Sequence, residues 1–169
     1  MRLIFTFLAF AIAISVAGCS SKFKTYNGPE VTQVVVYKAK RRMYLLHGTK
    51  VLKAYDFDLG FAPVGDKKIE GDGKTPEGRY TIDRRNPNSS FHLSIGIDYP
   101  NEADVAEALA LGKKPGGDIF IHGRPNKLTS REQRRLDPDW TAGCISVTNK
   151  EMEDIYAMVR NGTPIMIHP

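Results

Sequence analysis

Short apolar segments, broken every few residues by glycine, proline, asparagine or aspartate, run from Val31 to the end of the chain. That punctuation leaves little room for long helices and favours a fold of many brief strands. Val31 to Tyr37 is rich in valine. Arg42 to Leu46 and Val51 to Tyr55 flank His47-Gly48-Thr49-Lys50, a hairpin signal. Gly78 to Ile82, Phe91 to Ile97, Asp118 to His122, Cys144 to Thr148 and Ile165 to Ile167 have the same character. Between Gly60 and Pro76, glycine and proline crowd into a loop.

Two helices interrupt this pattern. Asn101 is placed to cap Glu102 to Leu111, with Ala103, Ala106, Leu109 and Ala110 along one face and Gly112 as the stop. Thr148-Asn149-Lys150-Glu151 has the form of a capping box ahead of Met152 to Arg160, and Asn161-Gly162 ends that helix. A shorter helical piece fits Ser130 to Leu136. The expected fold is mainly β with short helices (α+β): a single β-sandwich domain over residues 31–169.

The N-terminus has a different character. Arg2 precedes a fifteen-residue apolar run, Leu3 to Ala17, interrupted only by Thr6 and Ser15. Such a run is short for a bilayer core of about 30 Å but suits the apolar core of a secretory signal. Val16-Ala17-Gly18-Cys19 resembles the signal of bacterial lipoproteins. That resemblance implies that residues 1–18 are removed and Cys19 is lipidated. It also implies that residues 19–30 tether the domain to a membrane. Ser20 after the cysteine implies the outer membrane of a Gram-negative cell, with the domain facing the periplasm. Several acyl chains would make this anchor durable, because one alone binds only marginally.

Lys and Arg number 24 against 19 Asp and Glu, a net charge of +5 with no dense basic run, so nothing points to a nucleic-acid partner. Two cysteines are too few for a disulfide scaffold. With Cys19 lipidated, Cys144 is a lone thiol in an oxidising compartment. Spacing alone leaves open whether it is a reactive group or a small buried hydrophobe.

Thiol chemistry needs a proton acceptor. Of four histidines, His47 falls in a hairpin turn, His92 lies inside a predicted strand where it packs or hydrogen-bonds, and His168 sits beside the C-terminus with little around it. His122 is the candidate, because it ends the apolar strand Ile119-Phe120-Ile121 where a loop begins. Around Cys144, Ala142 and Gly143 are small. They let the chain turn tightly and let a carbonyl approach the amides of Gly143 and Cys144, a candidate oxyanion hole. Asp72 and Glu77 read as turn residues of a Gly/Pro-rich loop rather than as paired acids. No cluster has metal-ligand spacing.

His122-Gly123, a spacer, then Thr141-Ala142-Gly143-Cys144-Ile145 is similar to the signature of the bacterial L,D-transpeptidases, the YkuD-type catalytic domain. Gly71-Asp72-Gly73-Lys74-Thr75-Pro76-Glu77-Gly78 and Gly116-Gly117-Asp118-Ile119-Phe120-Ile121-His122-Gly123 resemble two further family segments. The resemblance spans residues 31–169 and implies roles. Cys144 would be the nucleophile and His122 the base and acid. The main-chain carbonyl of Gly123 would orient the imidazole, and the amides of Gly143 and Cys144 would hold the oxyanion. The partners implied are peptidoglycan tetrapeptide stems, and no cofactor or metal is called for.

Two positions depart from the family pattern. Ala142 stands where many members have histidine, and Ser146 where many have an arginine that helps to hold the donor carboxylate. Arg124 and Arg79 are candidate substitutes, and Trp140 is a candidate cleft wall. These departures, with Tyr99-Pro100-Asn101, resemble a branch that includes enzymes hydrolysing the bond between peptidoglycan and an attached lipoprotein. The readings are then a transpeptidase, an amidase or endopeptidase of the same mechanism acting on stem peptides or a peptidoglycan-linked lipoprotein, and a non-catalytic murein-binding lipoprotein.

Overall fold

The computed structural model describes residues 21–169. The expected lipidation site Cys19 and the expected signal segment lie outside the described residues. Eight strands and three helices follow in the order β1 (Gln33–Tyr37), β2 (Arg42–His47), β3 (Lys50–Asp56), β4 (Gly78–Asn86), β5 (Ser94–Ile97), α1 (Glu102–Ala110), β6 (Phe120–His122), α2 (Ser130–Gln133), β7 (Ile145–Ser146), α3 (Asn149–Met158) and β8 (Pro164–His168). The protein is therefore mainly β with short helices.

All eight strands belong to one mixed sheet, ordered β3-β2-β1-β8-β4-β5-β6-β7. The final strand β8 inserts between β1, to which it is parallel, and β4, to which it is antiparallel. The two layers expected of a sandwich are two halves of this sheet, and β4 is the fold line. Its first half, Gly78–Thr81, pairs with β8, and its second half pairs with β5. Beyond β3, bridges from Asp58 to Ser146 and from Gly60 to Thr141 join the two outer edges. The sheet thus curls into a half-barrel around Val34, Leu45, Ile82, Ile95, Ile121, Ile145 and Ile165, all essentially buried.

Helix α3 seals this core with Met152, Ile155 and Met158. Its capping box forms as the sequence indicates: Thr148 accepts from Glu151 N–H, and the Glu151 carboxylate accepts from Thr148 N–H. The helix stops before Val159, which turns extended and enters the core. Asn101 caps α1, but the expected apolar face is not its buried face. Ala108 is buried, while Ala103, Ala106, Leu109 and Ala110 face solvent. Alanine offers little apolar area, and polar contacts set the helix orientation instead, from Tyr80 to Asp104 and from Lys68 to Glu107.

The loop between β3 and β4 is pinned by two buried ammonium groups. Lys38, 2% exposed, donates to Gly65 O, Thr75 O and Glu77. Lys67 holds Asp72, whose carboxylate also accepts from the N–H groups of Lys68, Ile69 and Lys74. Asp72 and Glu77 are thus the counter-ions of a folded loop. Residues 21–30, read as a tether, lie along the domain. Lys22 donates to Pro87 O and His92 O, Lys24 pairs with Asp154, and Phe23 packs on Tyr156.

The fold carries a direct test of α3. Thr148→Ala should cost about 1 kcal/mol through the lost cap, and Ile155→Ala about 3 kcal/mol through the cavity it leaves. Both are measured by chemical denaturation, and a smaller loss for Ile155→Ala than for Thr148→Ala would contradict this packing.

Candidate active site

The site forms where β6 and β7 run parallel, with Ile121 opposite Ile145 and His122 opposite Ser146. Ile121 and Ile145 turn into the core. Side chains alternate along a strand, so the residues flanking them face the other way. His122 and Cys144, far apart in sequence, therefore line one cavity of about 420 Å³ with Asn86, Phe91, Ser94, Asp118 and Phe120.

His122 is 3% exposed. Its Nδ1 lies 2.7 Å from Gly123 O. A carbonyl only accepts, so Nδ1 carries the proton and Nε2 keeps its lone pair. Phe91 stacks on the imidazole with centroids 4.4 Å apart, and Trp140 meets it edge-on at 5.6 Å. Burial pushes the His122 pKa down to about 4. The Gly123 carbonyl opposes that shift and the Arg124 charge adds to it.

The Cys144 thiol lies 3.4 Å from Asp118 O, to which it donates, and accepts from Phe120 N–H at 3.4 Å. Burial raises its pKa, as does the Asp118 charge, while Phe120 N–H, Lys67 and Arg84 act the other way. The resting site therefore holds a neutral imidazole and a neutral thiol, and the thiol proton is directed at Asp118.

The turn before Cys144 needs a glycine. Gly143 has φ +134°, and a Cβ there would meet Lys74 O at 2.6 Å. Thr75 Oγ1 donates to Gly143 O at 2.8 Å, and Thr141 Oγ1 donates to Cys144 O at 2.7 Å. The Gly71–Gly78 segment, singled out in the sequence, is thus a brace behind the cysteine. Gly143 N–H donates to Thr141 Oγ1, so one of the two amides expected to face an oxyanion is already engaged.

Other candidates lie elsewhere. Arg124 pairs with Asp58 at 2.7 Å and sits beside Trp140 in a neighbouring pocket, because the Asp58 carboxylate draws it away from the cleft. Arg79 is exposed on the β8-paired half of β4, also away from the cleft lining. Trp140 supports the imidazole rather than lining the cleft. Ser146, opposite His122, is fully buried, and its Oγ has no hydrogen-bond partner among the described residues. His47 is exposed at the hairpin. His92 precedes β5 rather than lying within it, and its Nε2 meets Glu153 at 2.9 Å. His168 is held after all, stacked on Tyr37 at 4.8 Å. Phe91 and Asp118 were not foreseen. A ring from a loop and a main-chain carbonyl leave no signal in a sequence.

Because His122 is buried neutral, the unfolded chain binds a proton between pH 6.5 and about 4 that the folded chain does not. Stability should therefore fall as pH drops through that window, by about 3 kcal/mol once below it. His122→Gln should flatten this slope in denaturation curves taken from pH 7 to 4, and an unchanged slope would contradict the assignment.

Residues 32–167 match the YkuD family, the L,D-transpeptidase catalytic domain. YafK of Escherichia coli (strain K12) is 25% identical over 146 residues, covering 83% of this chain and 52% of its own length. The chain thus spans about half the length of the curated relatives it matches. Among solved structures, the helical cell shape determining protein Pgp2 of Campylobacter jejuni is 31% identical with a TM-score of 0.62, over 84% of this chain and 49% of that one. L,D-transpeptidase 1 of Mycobacterium tuberculosis shares the fold at 12% identity and a TM-score of 0.51, over 83% and 62%. With a match across nearly the whole described domain, the chain belongs to the YkuD family of L,D-transpeptidase catalytic domains.

Proposed function

We propose that this protein remodels peptidoglycan by cysteine acyl transfer, as an L,D-transpeptidase acting on tetrapeptide stems. The observation that carries the reading is the shared cavity of Cys144 and His122 in a chain of this family. The Nδ1–H···O bond to Gly123 fixes the tautomer that leaves Nε2 free to take the thiol proton. For that transfer the thiol turns from Asp118 O toward the imidazole.

The thiolate then adds to the carbonyl at the L-centre of diaminopimelate. The C–N bond to D-alanine breaks, and His122 returns its proton to the departing amine. A thioacyl-enzyme remains. An acceptor amine resolves it to a cross-link, or water resolves it to a shortened stem. Where the leaving amine belongs to a wall-linked lipoprotein in place of D-alanine, acylation itself releases the lipoprotein and water then frees the stem. In either case His122 takes the proton of the incoming group. Anchoring through lipidated Cys19 belongs to the same proposal and would hold the domain on the membrane that faces its substrate.

The test is incubation of the full chain with defined muropeptides, read by mass spectrometry. Release of D-alanine with a new cross-link marks transpeptidation, and release without one marks hydrolysis. Cys144→Ser and His122→Ala should each lower turnover by at least about a thousandfold. A carbapenem should add its mass to Cys144, which a mere wall-binding protein would not permit. Full activity in either variant overturns the proposal. Cys19→Ser should move the protein from the membrane fraction to the soluble fraction without changing turnover in vitro.

A further inference from the structure

The family arginine is absent at Ser146, Arg124 is committed to Asp58, and Lys67 to Asp72. A different cation stands beside the cleft, outside its lining but in contact with two residues that do line it, Asp118 and Phe120. In β4, Ile82 opposes Ile97 of β5, but Arg84 opposes Gly96, so one extra residue, Asp83, bulges out. Without that bulge Arg84 would share the core face of Ile82. With it, the side chain is turned to the opposite face of the sheet.

Gly96 in turn opposes Phe120, and Phe120 N–H meets the Cys144 sulfur. Arg84, Gly96, Phe120 and Cys144 thus form one row across adjacent strands, each step about 4.8 Å. The row works because Gly96 has no side chain: a Cβ there would meet Arg84 Cγ at 2.6 Å and Nε at 2.7 Å. Arg84 lies over the glycine, and its guanidinium carbon stands 4.6 Å above the Phe120 ring. Nη1 is held by Asp83 and Ile97 O. Nη2 reaches Asp118 Oδ1 at 3.4 Å, a loose contact with a carboxylate that is 91% exposed. Asp118 has φ +55°, and its main-chain oxygen is the one that accepts the Cys144 thiol proton.

We propose that Arg84 is the carboxylate-binding residue of this cleft, taking the α-carboxylate of the residue on the leaving side of the scissile bond by displacing Asp118. The proposal rests on the peptidoglycan reading for the identity of the peptide. In a stem tetrapeptide the leaving residue's carboxylate lies about one residue, some 3.5 Å of chain, beyond the carbonyl that Cys144 attacks. The guanidinium stands one strand away from the cysteine. The planar fork matches a carboxylate, and the exchange moves the Asp118 charge away from the thiol.

The test uses the full chain in detergent with two substrates, a stem tetrapeptide ending in a free carboxylate and its C-terminal carboxamide. Wild type should show a KM about tenfold lower for the acid. Arg84→Gln should abolish that preference by raising the KM for the acid alone, with kcat little changed. Asp118→Asn should lower the KM for the acid. Independently of any wall substrate, the ratio of Cys144 alkylation by iodoacetate to that by iodoacetamide should fall about tenfold in Arg84→Gln, hold in Arg84→Lys and rise in Asp118→Asn.

An Arg84→Gln protein that keeps either the acid preference or the wild-type alkylation ratio overturns the proposal. If that variant does not fold, the exposed Asp118→Asn carries the test, and no change in its ratio is equally decisive. Should wild type turn over neither peptide, the peptidoglycan reading fails and the alkylation ratio alone decides the role of Arg84.

Discussion

The parallel pairing of β6 with β7 is the contact on which the site depends. Only two residue pairs define it, Ile121 with Ile145 and His122 with Ser146. It is locked from both sides. On one, the isoleucines are sealed in the core. On the other, Asp58 exchanges main-chain hydrogen bonds with Ser146, at 2.8 Å in each direction. A slip of one residue would carry His122 into the core face and leave Cys144 without its partner, because side chains alternate with a period of two.

Around that pairing the molecule places rigid supports rather than a mobile loop. The β3–β4 loop looks from its glycines like a segment free to move, yet Lys38, Lys67 and Thr75 tie it down. An ammonium buried this deeply is tolerable only with its partners in place, and removing one of a buried pair is costly. The same loop touches the Gly143 turn, so the backbone of Cys144 rests on a heavily ion-paired segment.

The electrostatics of the cleft favour an uncharged resting state. Burial raises the thiol and lowers the imidazole, and the thiol proton points at Asp118. Substrate entry that excludes water and brings its own charge would change that balance. Arg84, beside the cleft and in long contact with Asp118 through Nη2, is placed to respond to such a charge.

Much of this was legible in the sequence. Turn residues and β-branched runs located the strands, Thr148 and Asn101 announced their helices, and Cys144 and His122 were singled out as a pair that the structure brings to one cavity. Those signals are local, a matter of backbone freedom, capping and residue type. What only the tertiary structure decided was non-local: β8 entering mid-sheet, the orientation of α1, the partners of His168, and which arginine touches the residues of the cleft wall. Arg79, Arg84 and Arg124 look alike along the chain. A single bulged residue and the absence of one side chain at Gly96 separate them, because a strand's alternation is set by its pairing partner and not by its own composition.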